Sequence, residues 1–139
     1  METRSAGPLD GLRVLDFTRV LAGPYATRIL GDLGAEVIKV QSKRTARGTE
    51  SDASPYFRSW NRNKKSITLD LDRPEARDVV LELVRSCDVV VENFSPRGMA
   101  NWGLTYGRVR EARADIIFLS MSAMGQTGPR RGHVGHGQP

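Results

Sequence analysis

The chain has 139 residues, of which 39% are hydrophobic, 27% charged and 6% aromatic. That mixture fits one globular domain with a sizeable core and excludes collagen, coiled coil and wholesale disorder. The net charge of +5 is nearly all local, because Lys39, Lys43, Arg44, Arg47, Arg58, Arg62, Lys64 and Lys65 face only Glu50 and Asp52 in that stretch, a surplus of six. No apolar run approaches the roughly 20 residues that a bilayer crossing needs. Met1 to Asp10 lack the apolar segment of a secretory signal, so a cytoplasmic location is the expectation. Cys87, the only cysteine, sits in the apolar stretch Val79 to Val91 and reads as a small buried hydrophobe.

In chain order, Arg13 to Thr18 alternates apolar and polar residues as a half-covered strand does. Pro24 to Gly34 reads as a helix with Tyr25, Ile29, Leu30 and Leu33 on one face, Pro24 in its first turn and Gly34 as its stop. Ala35 to Gln41 completes a strand–helix–strand unit, whose two strands should be parallel with a right-handed crossover. Residues 42–65 carry neither period and form a basic loop too long for a routine connection. With Tyr56, Phe57 and Trp60 inside it, this loop suits either a polyanion or plain solvation. Ser66 to Leu71 predicts a strand, Pro74 to Ser86 a helix with Ala76, Val79, Val80, Leu83 and Val84 at helical spacing, and Asp88 to Phe94 a buried strand. Pro96 to Tyr106 and Gly107 to Ala114 read as short helices and Ile116 to Ser122 as a last strand, before a glycine-rich tail over 125–139. The fold class is α/β, Rossmann-like, a mostly parallel sheet with flanking helices. One domain over 1–139 is expected, and its ending in a loop implies an incomplete one.

Open sheets of this kind bind ligands beyond the C-terminal ends of their strands. No Gly-x-Gly-x-x-Gly follows the first strand and no Walker-type glycine loop occurs, which disfavours a dinucleotide or nucleoside-triphosphate site. His133 and His136 lie in the tail without cysteine or carboxylate neighbours, so no metal is expected.

Five ordered blocks carry a family resemblance: Pro8-Leu9-Asp10-Gly11-Leu12-Arg13-Val14-Leu15-Asp16-Phe17 with Ala22-Gly23-Pro24; Leu33 to Val40; Asn61 to Leu71; Asp88 to Phe94; and Gly125-Gln126-Thr127-Gly128-Pro129. Together they resemble the N-terminal portion of the family III CoA-transferases, the group of formyl-CoA transferase and carnitine CoA-transferase, related to α-methylacyl-CoA racemase. The resemblance implies coenzyme A as ligand, presented as an acyl-CoA thioester, a carboxylic acid as acceptor, and an interlocked homodimer for the full-length protein. It also implies a ligand for the basic segment, since coenzyme A carries a pyrophosphate and a 3′-phosphate. The positions that match the family's CoA contacts are Val20 and Leu21 after the first strand, Leu69, Asp70, Leu71 and Asp72 beside adenine and ribose, and Asn93 and Phe94 after the buried strand. The chain departs from the family where an acid and a base usually follow the second strand, here Gln41 and Ser42, and where Asn101 replaces a basic residue; Arg97, Lys43 and Arg44 are the substitutes to consider.

In this family an aspartate carboxylate attacks the thioester. The resemblance places it beyond residue 139, so no catalytic nucleophile is assigned, and the chain alone should not catalyse transfer. Asp16, Asp32, Asp70 and Asp72 read as solvated or capping groups. Gly125 to Pro129 reads as an ordered turn near the thioester. His136 falls where the racemase branch keeps a proton-abstracting histidine, which leaves a racemase-type fragment as one alternative. A small basic nucleic-acid-binding module using Arg44, Arg47, Arg58, Arg62, Lys64 and Lys65, with Tyr56 and Trp60 stacking on bases, is the other and the less favoured.

Overall fold

A computed structural model describes residues 7–135. Its five strands form one all-parallel sheet in the order β3-β2-β1-β4-β5: β1 Arg13–Asp16, β2 Glu36–Gln41, β3 Lys64–Thr68, β4 Val89–Glu92 and β5 Ile117–Ser120. The helices are α1 Ala22–Asp32, α2 Pro55–Asn61, α3 Pro74–Arg85, α4 Gly98–Asn101 and α5 Tyr106–Ala112, with one 3-10 turn at Gly48–Glu50. Among the described residues no helix is long and apolar enough to cross a membrane.

Because side chains alternate along a strand, each strand divides its residues between two faces. Leu15, Phe17, Val40 and Val90 face one side and pack with Val80 and Val84 of α3, Met99 of α4 and Val109 of α5. Val14, Val37, Val89 and Val91 face the other, where Leu30 of α1 covers them. Cys87 is fully buried in the first of these clusters, as its neighbours predict, and burial pushes its thiol up, away from reactivity.

The face that α1 turns inward differs from the sequence reading. Tyr25, Ile29 and Leu33 are 44%, 39% and 41% exposed, whereas Gly23, Pro24, Thr27 and Gly31 are buried. Of the predicted face Leu30 does pack inward, but at Gly23 the helix lies too close to the end of β1 for any side chain. A Cβ on Gly23 would stand 2.3 Å from Cβ of Thr18. The stop is as anticipated, with Gly34 at φ 109°.

Residues 42–65 are also more regular than their composition implies. They hold the 3-10 turn and α2, and β3 begins at Lys64 rather than Ser66, because the ladder to β2 pairs Val37 with Lys64 and Val40 with Ile67. Residues 69–72 therefore lie beyond the strand, in the loop leading to α3.

Candidate functional site

The C-terminal ends of β1, β2 and β4 converge on one hollow of about 240 Å³. Its walls are Phe17 and Arg19 after β1, Val40 and Gln41 at the end of β2 with Ser42 and Arg44 after it, Leu69 to Asp72 after β3, and Phe94 and Trp102. Five of the residues that the sequence singled out, Leu69, Asp70, Leu71, Asp72 and Phe94, thus meet in one place. The aromatic wall is a T-shaped pair, Phe94 against Trp102 at 5.5 Å between centroids, and the Arg19 guanidinium stands 5.4 Å from the Phe94 centroid.

Polar groups hold that wall open. The Trp102 indole N–H donates to Oδ1 of Asp72 at 3.2 Å, and Nη1 of Arg44 pairs with Oδ2 of the same carboxylate at 2.7 Å. Arg77 donates from Nε to the Leu71 carbonyl at 2.9 Å and so fixes the 69–72 loop from the α3 side. Arg44, Asp72, Arg77 and Trp102 also border a second, shallower hollow next to the first. Of the substitutes considered for the departures, Arg44 lies here, and Asn101 lines the same hollow. Arg19 lies deep enough that burial lowers its pKa, opposed by the nearby Glu50 carboxylate.

Val20, Leu21 and Asn93 lie outside this hollow. Asn93 spends its side-chain amide on the backbone of Arg19, accepting from the N–H and donating to the carbonyl, both at 2.8 Å. The Val20 N–H donates to Oε1 of Glu50 at 3.1 Å, and Val20 has φ 66°, a left-handed conformation costly for a β-branched residue. Val20 and Leu21 are 47% and 44% exposed. They form an apolar arc at the rim of the strand ends, joined to the hollow through Arg19.

Below the arc is an ionic cluster that sequence reasoning missed. Asp16 is completely buried, neither solvated nor a cap. Its Oδ1 accepts from the Thr18 N–H at 2.8 Å and the Thr18 hydroxyl at 2.5 Å, and its Oδ2 from the Thr27 hydroxyl at 2.7 Å and Lys64 Nζ at 3.0 Å. Lys64 also reaches the Pro24 carbonyl at 3.0 Å and Oδ1 of Asn61 at 2.9 Å. Lys39, 2% exposed, donates to the Thr18 carbonyl. Burial raises the Asp16 carboxyl pKa, but Lys39 and Lys64, helped by the two threonines, outweigh it and hold the group below its usual range. Burial lowers both lysines, Lys64 to about 8.

Two of the eight cations counted in the basic stretch are thus internal. Its aromatics are committed as well: Phe57 is buried, and Trp60 packs edge-on against Tyr25 and Tyr56. Lys64 and Trp60 are therefore not free for the nucleic-acid surface considered above. The other carboxylates are also placed. Asp32 accepts from Arg62 at 2.8 Å and Asn63 at 2.7 Å, which lowers its pKa, and Asp70 lies near Arg73. Gly125 to Pro129 is an exposed turn, with Gly125 and Gly128 at positive φ. His136 lies outside the described residues. No cluster of metal-ligating side chains occurs among the described residues.

The chain is thus a parallel α/β domain with an aromatic, arginine-flanked hollow at its strand ends, the place where open sheets of this class carry their ligands. Residues 9–138 match CoA-transferase family III, and the chain belongs to that family. It is 45% identical over 139 residues to the succinyl-CoA:glutarate CoA-transferase of Mus musculus, an alignment that covers 95% of this chain and 32% of the relative. To the formyl-CoA:oxalate CoA-transferase of Rhodopseudomonas palustris it is 43% identical over 124 residues, 84% of this chain and 29% of that one. The crystal structure of Rv3272 from M. tuberculosis superposes with a TM-score of 0.85 at 42% identity, covering 94% of this chain and 36% of that protein. The chain thus spans about a third of the length of the relatives it matches.

Proposed function

We propose that the chain is the CoA-binding N-terminal part of an enzyme that moves coenzyme A between an acyl-CoA thioester and a carboxylic acid. The observation that carries this reading is the hollow itself. It gathers Leu69 to Asp72, Phe94 and Trp102, positions spread over the sequence, around a space bordered by Arg19 and Arg44. Leu69, Leu71 and the aromatic pair supply apolar walls for an adenine ring. Arg44, with Arg77 beside it, supplies the guanidinium groups that a 3′-phosphate or pyrophosphate requires. Asp72 holds Arg44 in the absence of ligand, so phosphate binding exchanges one anionic partner for another.

The nucleophile is proposed to lie outside these residues. Asp16 is spent on two buried cations and Asp32 on Arg62 and Asn63. Asp70 and Asp72 line the hollow that is read as the ring and phosphate end. Transfer by a family aspartate would form an acyl–aspartyl anhydride as the thiolate leaves; the thiolate then attacks the aspartyl carbonyl and releases the first acid. The acceptor acid displaces the thiolate from the aspartyl thioester to give a second anhydride, and the thiolate attacks the acceptor's carbonyl and frees the aspartate. This chain's residues serve that chemistry by holding the cofactor.

Calorimetric titration of the chain with coenzyme A and with dephospho-coenzyme A tests the reading. Coenzyme A is expected to bind about tenfold more tightly, the worth of one charge-assisted contact. Equal affinities, or no binding of either, would overturn it.

A further inference from the structure

The arc Thr18–Leu21 is held by four side chains from four parts of the chain. Asp16 takes the Thr18 N–H and hydroxyl, Lys39 the Thr18 carbonyl, Asn93 both backbone groups of Arg19, and Glu50 the Val20 N–H. Such concentration on three consecutive backbone units is what keeps Val20 in its left-handed conformation, which nothing in its own side chain favours. Lys39 is the unusual member. It is a buried ammonium whose one hydrogen bond among the described residues goes to a main-chain carbonyl, although an apolar residue would fill a strand position facing α1 more cheaply. Asp16 offsets its charge without bonding to it.

A cation in that place acts on the backbone of the arc. The hollow, at about 240 Å³, encloses only part of a ligand the size of coenzyme A. The remainder must leave along the rim, and the exposed apolar side chains of Val20 and Leu21 adjoin the hollow through Arg19.

We propose that Lys39 is a positioning residue: through the Thr18 carbonyl it sets the arc so that Val20 and Leu21 form the track for the pantetheine arm of coenzyme A. This rests on the cofactor reading above, in which Val20 and Leu21 match the family's CoA contacts, and adds the part that Lys39 plays in setting them.

The test compares two ligands on the whole chain: coenzyme A, which has the arm, and adenosine 3′,5′-bisphosphate, which lacks it. Lys39→Met is expected to weaken coenzyme A about tenfold relative to the bisphosphate. Glu50→Ala, which removes the acceptor of the Val20 N–H from a partly exposed side chain, is expected to lower the same ratio about threefold, and it reads the arc should Lys39→Met not fold. Parallel loss of both ligands in the variants would mark a merely structural role and overturn the proposal, as would an unchanged ratio. If the unmodified chain binds neither ligand, the cofactor reading itself falls and takes this inference with it; if it binds both and the ratio stays fixed in the variants, only this inference falls.

Discussion

On the side of the sheet covered by α3, α4 and α5, the packing is continuous: Leu15, Phe17, Val40, Val80, Val84, Val90, Leu104 and Val109 are all buried and apolar. On the α1 side the apolar cluster is Val14, Ala35, Val37, Val89 and Val91, and along β1 and β2 it gives way to Asp16 and Lys39 at the next inward positions. Beyond it, over β5, no element among the described residues gives cover. Ile117 and Leu119, paired with Val89 and Val91 and facing the same way, are 60% and 44% exposed. One face of the sheet is thus finished as a core. The other passes from a thin core to an ionic cluster at one place and to bare apolar surface at another. The hollow borders the finished face, through Phe17, Val40 and Leu71, whereas the buried charges under the arc belong to the less complete one.

The sharpest way to break this division is to remove the anion from the cluster. Asp16→Ala removes the anion that Lys64 bonds and the stronger of the two anions acting on Lys39, and the loss of one partner from a buried ion pair costs about 3–5 kcal/mol. Chemical unfolding should show that loss, and a cost below about 1 kcal/mol would mean that water reaches the cluster and the two faces are less different than they look.

The next effect is smaller and depends on pH. Burial lowers Lys64 from 10.5 to about 8, against the opposing pull of Asp16. Between those two values the unfolded chain carries a proton that the folded chain has lost, so the contribution of Lys64 to stability rises with pH across the window. The slope is at most about 1.4 kcal/mol per pH unit. Measured against Lys64→Met, the parent should therefore gain stability from pH 8 to pH 10, and be least favoured relative to the variant below pH 8, where the buried charge must be kept. A difference that stays flat would place the Lys64 amine in contact with solvent.

Which of these features could be read in the sequence follows from what carries each signal. β4 was legible because Val89 to Val91 is buried on both faces and reads as an unbroken apolar run. The loop residues 69–72 and Phe94 were legible through family resemblance, and the structure gathers them. The inward face of α1 was not legible, because hydrophobic periodicity points to the large residues Tyr25, Ile29 and Leu33, whereas close approach to the sheet selects Gly23, Thr27 and Gly31. Lys39 and Lys64 were counted into a surface patch because a charge count has no depth. The step of two from Val37 to Lys39 along one strand was the available sign that Lys39 points inward. Trp102 and Arg19 carried no period or motif, and only the meeting of strand ends from distant parts of the chain brings them to the site.

The smallest expected effect concerns the uncovered edge. Ile117 and Leu119 make little of the core, so Ile117→Lys should change unfolding free energy by less than about 0.5 kcal/mol, as substitutions at exposed positions do. Its effect on association should be larger. An edge strand with exposed apolar side chains and an unpaired row of backbone groups is a template for pairing with another strand, and a lysine there both removes apolar area and adds repulsion. Light scattering of the parent and Ile117→Lys at matched concentrations should show less self-association in the variant. Equal scattering would mean that the bare patch over β5 is not what draws chains together, and would move attention to the other exposed apolar stripe, Tyr25, Ile29 and Leu33 on the outside of α1. A drop in scattering with unchanged unfolding would show that the open part of this face governs contacts between molecules, while the charged part, with Asp16, Lys39 and Lys64, stays internal.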